Sequence, residues 1–134
     1  MPAELYPWIH LVGRILFSLV FVLSGVNHLM QRHAMAEYAR ARGLPTPGLA
    51  VVLSGIVLLA CGLMIGVGYR RFIAAGILFL FLVSTAFLMH PFWKEEDPQA
   101  QQNEMTHFLK DLALAGAALI IAYYAGTPWP LALG

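Results

Sequence analysis

Residues 48–67 read GLAVVLSGIVLLACGLMIGV, and no charged side chain interrupts them. Wound as an α-helix at about 1.5 Å per residue, this stretch is roughly 30 Å long, the thickness of the hydrocarbon layer of a bilayer. Apolar residues run on without alternating with polar ones, so the stretch does not read as a barrel strand. Three other stretches repeat the pattern, at roughly Ile9–Met30, Phe72–His90 and Met105–Ala125. The fold class that follows is all-α, an integral membrane four-helix bundle forming one transmembrane domain.

Composition agrees. Of 134 residues 60% are hydrophobic and 11% charged, and the mean hydropathy is +0.72. A soluble domain of this length needs a more heavily charged surface. The net charge of +1 comes from scattered residues, a distribution that argues against nucleic acid as a partner. Cys61, the single cysteine, can form neither an intrachain disulfide nor a CxxC pair and reads as a packing residue. The N-terminus has Glu4 and no basic region, and the apolar run that follows is too long for a signal-peptide core, so the first helix is expected to be retained.

Turn-forming residues divide the runs. Pro47 or Gly48 can open the second helix without losing a needed hydrogen bond. Gly66-Val67-Gly68-Tyr69-Arg70-Arg71 is a short turn that makes the second and third spans antiparallel neighbours, and Pro91 stops the third immediately after His90. Thr127-Pro128-Trp129-Pro130 ends the fourth. Tyr6, Trp8, Tyr69, Tyr123, Tyr124 and Trp129 mark one water interface, the terminal side; Phe92 and Trp93 mark the other, the loop side. On the loop side, residues 32–42 are expected to form a short interfacial helix or to extend the first span, ended by Gly43. Residues 92–104, with Glu95-Glu96-Asp97, read as a solvated loop. Arg32, Arg40, Arg42 and Lys94 against Arg70 and Arg71 give a small bias toward a cytoplasmic loop side.

Ionisable groups inside a span cost about 2.5 kcal/mol or more at the helix centre, so each needs a reason. The first helix lines up Arg14, Ser18, Phe21, Gly25 and His28 on one face, which should turn toward the bundle. The fourth does the same with His107, Lys110, Asp111 and Leu114. By helical rise, His28, His90 and His107 share a level near the loop side, and Asp111 lies roughly one turn deeper. Arg14 lies on the order of 15 Å of height from Asp111, too far for a direct ion pair. Two readings of Arg14 stay open: its side chain snorkels about 9 Å to the terminal interface, or it binds a polar ligand or helix carbonyls. Lys110 and Asp111 either compensate each other or belong to a site.

Histidine is a common metal ligand, but these three come from three helices without HxxxH or HxxH spacing, so neither metal nor haem is expected. The layer better suits a proton-handling or quinone-binding pocket with apolar walls, for which Phe17, Phe21, Phe87 and Trp93 are available. The ligand-binding candidates are Arg14, Asn27, His28, His90, His107, Lys110 and Asp111; no catalytic residue is assigned. Gly62 and Gly66 form a GxxxG, and Ala113, Gly116 and Ala117 a small patch, serving either packing within the chain or a homo-oligomer.

Taken in order, several motifs resemble the DoxX family. They are Arg14 in a first helix ending Ser24-Gly25-Val26-Asn27-His28, then Leu44-Pro45-Thr46-Pro47 and a glycine-rich second helix closing before Arg70. Thr85-Ala86-Phe87-Leu88-Met89-His90-Pro91-Phe92-Trp93 and Phe108-Leu109-Lys110-Asp111-Leu112-Ala113-Leu114 follow. The resemblance implies a small multi-pass protein of the bacterial inner membrane. It also implies a link to quinone-coupled oxidation of sulfur compounds, or to membrane oxidoreductase complexes that handle oxidative stress. Three features depart from the family pattern. Many relatives carry a glutamate where this chain has the acid-free stretch Gly55–Gly62; Lys110-Asp111 replaces a lysine–asparagine pair; and His28 replaces a common lysine.

The chain lacks CxxC, Fe–S spacing and a nucleotide-binding glycine loop, so it is no complete oxidoreductase of those types. The function expected is an accessory or quinone-interacting subunit served by a soluble redox enzyme. The alternative is a non-enzymatic membrane scaffold or small-metabolite carrier.

Overall fold

A computed structural model describes residues 2–134. Five α-helices follow one another: α1 (Tyr6–Met30), α2 (Arg32–Ala41), α3 (Pro47–Val67), α4 (Arg71–Met89) and α5 (Pro98–Tyr123). Short 3₁₀ turns precede α1, follow α4 and follow α5. Among the described residues there is no strand. All the helices except α2 are long and apolar enough to cross a membrane, and the protein is an all-α membrane bundle.

Local chemistry sets the boundaries. At the end of α3, Gly68 takes φ +75°, and the Tyr69 and Gly68 amides donate to the carbonyls of Met64 and Ile65 at 2.8 and 3.1 Å. This is the left-handed glycine cap that closes a helix and reverses the chain. Gly43, at φ +82°, ends α2 in the same manner, with the Leu44 amide donating to Ala39. One boundary departs widely from the sequence reading, because α5 begins at Pro98 and not at Met105. The Asp97 side chain accepts from the Ala100 amide at 2.9 Å and Pro98 occupies the first turn. An aspartate cap followed by proline is a strong helix start that outweighs the polarity of the glutamines behind it.

The helices pack as two antiparallel pairs, α1 along α3 and α4 along α5, while α2 lies on α3. Contact between α3 and α4 is sparser. Along the first pair the buried face of α1 is Arg14, Ser18, Phe21 and Gly25. Its tightest crossing joins Gly25 to Gly55: a methyl group on Gly25 would lie 2.7 Å from the Gly55 carbonyl oxygen. Gly62 packs on Phe21 and Val22, whereas Gly66 is looser against Ser18. On α5 the residues turned inward are Ala115 and Ala118, and Gly116 faces open space. Phe21, Leu58, Ile65 and Leu78 fill the centre. Leu16, Leu80 and Ile120 keep more than 60% of their surface exposed on the outside, where lipid covers them.

The crossing predicts an asymmetry between glycines. Gly25→Ala should destabilise the fold by about 1–3 kcal/mol through overpacking. Gly116→Ala should leave stability unchanged or raise it by up to about 1 kcal/mol. Denaturant unfolding of both variants in detergent measures the difference, and equal effects would contradict this packing.

Candidate functional site

Between the two helix pairs, at the loop-side end and beneath α2, lies a cavity of about 540 Å³. Asn27 and His28 reach it from α1, His90 from the end of α4, and His107, Lys110 and Asp111 from α5. Six of the seven candidate residues are thus brought together. Spacing explains the α5 contribution, since 107, 110 and 111 fall on one helical face. Pro91 holds His90 at the level of His107, and the two rings stack with centroids 5.1 Å apart.

The polar groups are ordered by hydrogen bonds. The His28 Nδ1 lies 2.7 Å from the Ser24 carbonyl and donates to it. His90 Nδ1 lies 2.7 Å from Glu104 Oε2, and His90 Nε2 lies 3.8 Å from Asp111 Oδ2. Lys110 Nζ stands 3.7 Å from Asp111 Oδ1, and its own side chain is about half exposed. Asp111 itself is only 5% exposed. Ser54, Ser84 and Thr85 add neutral polar groups along walls otherwise made by residues such as Val51, Leu58 and Leu82.

Four residues absent from the candidate set complete this layer. Arg42 donates to Glu95 at 2.9 Å and pairs with Glu104 across 3.1 Å, and its guanidinium carbon lies 5.2 Å from the centre of the Tyr38 ring. The Tyr38 hydroxyl is 3.0 Å from both the Met89 carbonyl and Glu104 Oε1, either of which accepts its proton. Burial pushes the Tyr38 phenol up from its ordinary range, with the hydrogen bond from Arg42 opposing. Burial works to lower Arg42, but its bonds to Tyr38 and Glu95 outweigh that and hold it above its usual value. Glu95 and Glu104 are therefore not part of a solvated loop. The signals were present: Tyr38 on α2 and Arg42 at its cap are four apart, and Glu104, His107 and Asp111 share a face once α5 is extended backward.

The aromatic walls also differ from expectation. Phe21 lines the cavity, whereas Phe17 lines a second one at the terminal end. Phe87 and Trp93 pack with Phe92 and Phe108 into a cluster that braces the turn after α4.

Arg14 stands apart from the loop-side layer. It borders the second cavity, of about 520 Å³, with His10 and Trp129. Its Nε donates to Gly66 at 3.0 Å, Nη1 to Pro130 at 2.7 Å and Nη2 to the Leu131 carbonyl. Arg14 thus binds carbonyls, but of these only Gly66 belongs to a helix; Pro130 and Leu131 belong to the C-terminal segment. The guanidinium fastens the C-terminal segment to the end of α3, helped by the Leu133 amide, which donates to Val67 at 2.9 Å.

The family model that matches this sequence is DoxX, over residues 9–91, well over half of the chain. The chain belongs to the DoxX family. Comparison with curated proteins and with solved structures returns no match. The DoxX match takes in α1 to α4 with Asn27, His28 and His90. It stops short of α5, so in this DoxX protein His107, Lys110 and Asp111 enter the site on geometry.

Replacing Arg14 by Met should cost about 3 kcal/mol, since several carbonyls lose a charged donor at once. Amide exchange should quicken at residues 127–134 and stay unchanged around His90. Hydrogen–deuterium exchange in lipid nanodiscs reads both regions, and undisturbed protection of the tail would refute the role given to Arg14.

Proposed function

We propose that the loop-side cavity holds the head group of a quinone or a similar apolar oxidant. In this reading the protein is the membrane-embedded accessory subunit of an oxidoreductase system in a bacterial inner membrane. An associated soluble enzyme supplies the electrons, and neither haem nor metal is required of this chain. The observation that carries the reading is the make-up of the cavity: its volume suits a small-molecule site, its walls are mostly apolar, and His28, His90, His107, Lys110 and Asp111 line it together. A quinone divides in the same way, into a ring with two carbonyl oxygens and an apolar tail. Asn27, His107 and Lys110 offer donors to such oxygens.

The family supports the same reading, since DoxX resemblance implies quinone-coupled oxidation. A carrier fits less well. Toward the terminal side the cavity meets the packed cluster of Phe21, Leu58, Cys61, Ile65 and Leu78, which leaves no polar route through the bundle. A scaffold remains the second reading, favoured by the lack of a nucleophile–base arrangement beyond the polar layer.

Lipid extraction from protein purified in native membranes is the test. Quinone should co-purify in near-stoichiometric amount, and a short-chain quinone should rebind after delipidation. His107→Ala combined with Lys110→Ala should weaken rebinding about tenfold or more, equivalent to roughly 1.4 kcal/mol. Protein that carries no quinone and binds none would favour the scaffold.

A further inference from the structure

His90 sits between two carboxylates that differ in their surroundings. Glu104 is the outer one. It forms an ion pair with Arg42 and accepts from the Tyr38 hydroxyl, and Glu95 shares the same arginine at the loop surface. A carboxylate flanked by such donors accepts, so the 2.7 Å contact with His90 is a bond from Nδ1–H to Glu104. That fixes the ring and leaves Nε2 directed at the inner carboxylate. Asp111 faces Nε2 across 3.8 Å, is almost fully buried, and lines the cavity.

With Nδ1 committed as a donor, Nε2 and Asp111 need one proton between them. Either the imidazole is neutral and a protonated Asp111 turns its hydroxyl toward Nε2, or the imidazolium faces a carboxylate. With no proton, an acceptor faces an acceptor; with two, a donor faces a donor. The other titratable groups that face the pair are His28 from α1 and His107 and Lys110 from α5. From α3 the cavity receives only Ser54 and apolar side chains.

We propose that His90 and Asp111 share one exchangeable proton and that His90 passes it between the cavity and Glu104, forming a proton port to the loop side. In the outward direction, the O–H bond of Asp111 breaks as the Nε2–H bond of His90 forms. The Nδ1–H bond then breaks as Glu104 gains the proton, which it releases to water. The reverse sequence delivers a proton inward. Each step moves one proton and no electrons. Retracing the steps only undoes the transfer, so a second proton follows in the same direction once the Nε2 proton has passed to water and water has reprotonated Nδ1, restoring the starting tautomer. Closing the 3.8 Å gap needs a small rotation of the Asp111 carboxyl or one bridging water. Use of the port to protonate a reduced quinone rests on the function proposed above; the port itself does not.

Nuclear magnetic resonance of ¹⁵N-histidine and ¹³C-aspartate labelled protein in lipid nanodiscs, without any quinone, tests the port. His90 signals are assigned by their loss in His90→Gln. The wild type should show His90 as the Nδ1–H tautomer or doubly protonated, and His90 and Asp111 should titrate together. Asp111→Asn should separate the His90 curve, and Glu104→Gln should slow exchange of the His90 ring proton with water about a hundredfold. A wild-type His90 protonated at Nε2 alone overturns the proposal, as does a His90 curve indifferent to Asp111→Asn. The tautomer is read from the wild type, so the result stands even if a variant fails to fold. Because quinone is absent, failure here leaves the cavity's occupant open, and a cavity that binds no quinone leaves this result intact.

Discussion

A charge in the hydrocarbon layer must find its partner inside the protein, and this requirement organises both ends of the bundle. Arg14 and Asp111 meet it in opposite ways. An arginine cannot discharge, so it has to be satisfied for good, and Arg14 is surrounded by the carbonyls of Gly66, Pro130 and Leu131. A guanidinium so fully engaged is a fastening. A carboxylate can neutralise, and Asp111 is held only by contacts near 3.7 and 3.8 Å. It is left able to change state, and it is the one that faces the cavity.

The packing that makes the cavity follows from where glycine is placed. Gly25 and Gly55 let α1 and α3 approach until backbone meets backbone, and α4 closes on α5 independently. Two tight pairs joined by the short turn at Gly68 leave space between them at each end. The lower space is filled partly by the returning C-terminal segment. The upper one is roofed by α2, whose Tyr38 and Arg42 reach down to Glu104. The same contacts that hold the roof also complete the ligand shell of Glu104, so the position of α2 and the orientation of His90 are linked through one carboxylate.

Much of this was legible in the sequence because membranes enforce simple rules. Four apolar runs of the right length, Pro91 and the Gly68 turn specify spans and their order. Helical rise places His28, His90 and His107 at one level, with Asp111 about one turn deeper. What escaped has a physical cause in each case. Residues 98–104 are polar enough to look like loop, yet the Asp97 cap and Pro98 make them helix, and only then does Glu104 join the face of His107 and Asp111. Phe87 and Trp93 lie at the correct depth, but periodicity alone does not say that they pack on Phe108 rather than on the cavity. Nor could sequence choose between interface and carbonyls for Arg14, because its partners Pro130 and Leu131 lie at the far end of the chain.

The acid in this layer also bears on the departures from the family pattern. The resemblance implies a glutamate on the second span of many relatives and an asparagine at position 111. Here the stretch Gly55–Gly62 has no acid, and Leu58 from it forms part of the cavity wall while Asp111 faces the same space from α5. In this chain the cavity's acid comes from α5 and not from α3. Its place matters chemically because α5 carries the partners an acid needs. Lys110 is adjacent, His107 is one turn away, and His90 is aligned by Glu104, whereas α3 at that level offers only Ser54 and hydrocarbon. A carboxylate on α3 would face this cavity with no cation on its own helix; on α5 it joins a chain of groups that leads to the loop side. The location of the acid therefore decides which side of the membrane the cavity can exchange protons with, and in this chain it is the side roofed by α2.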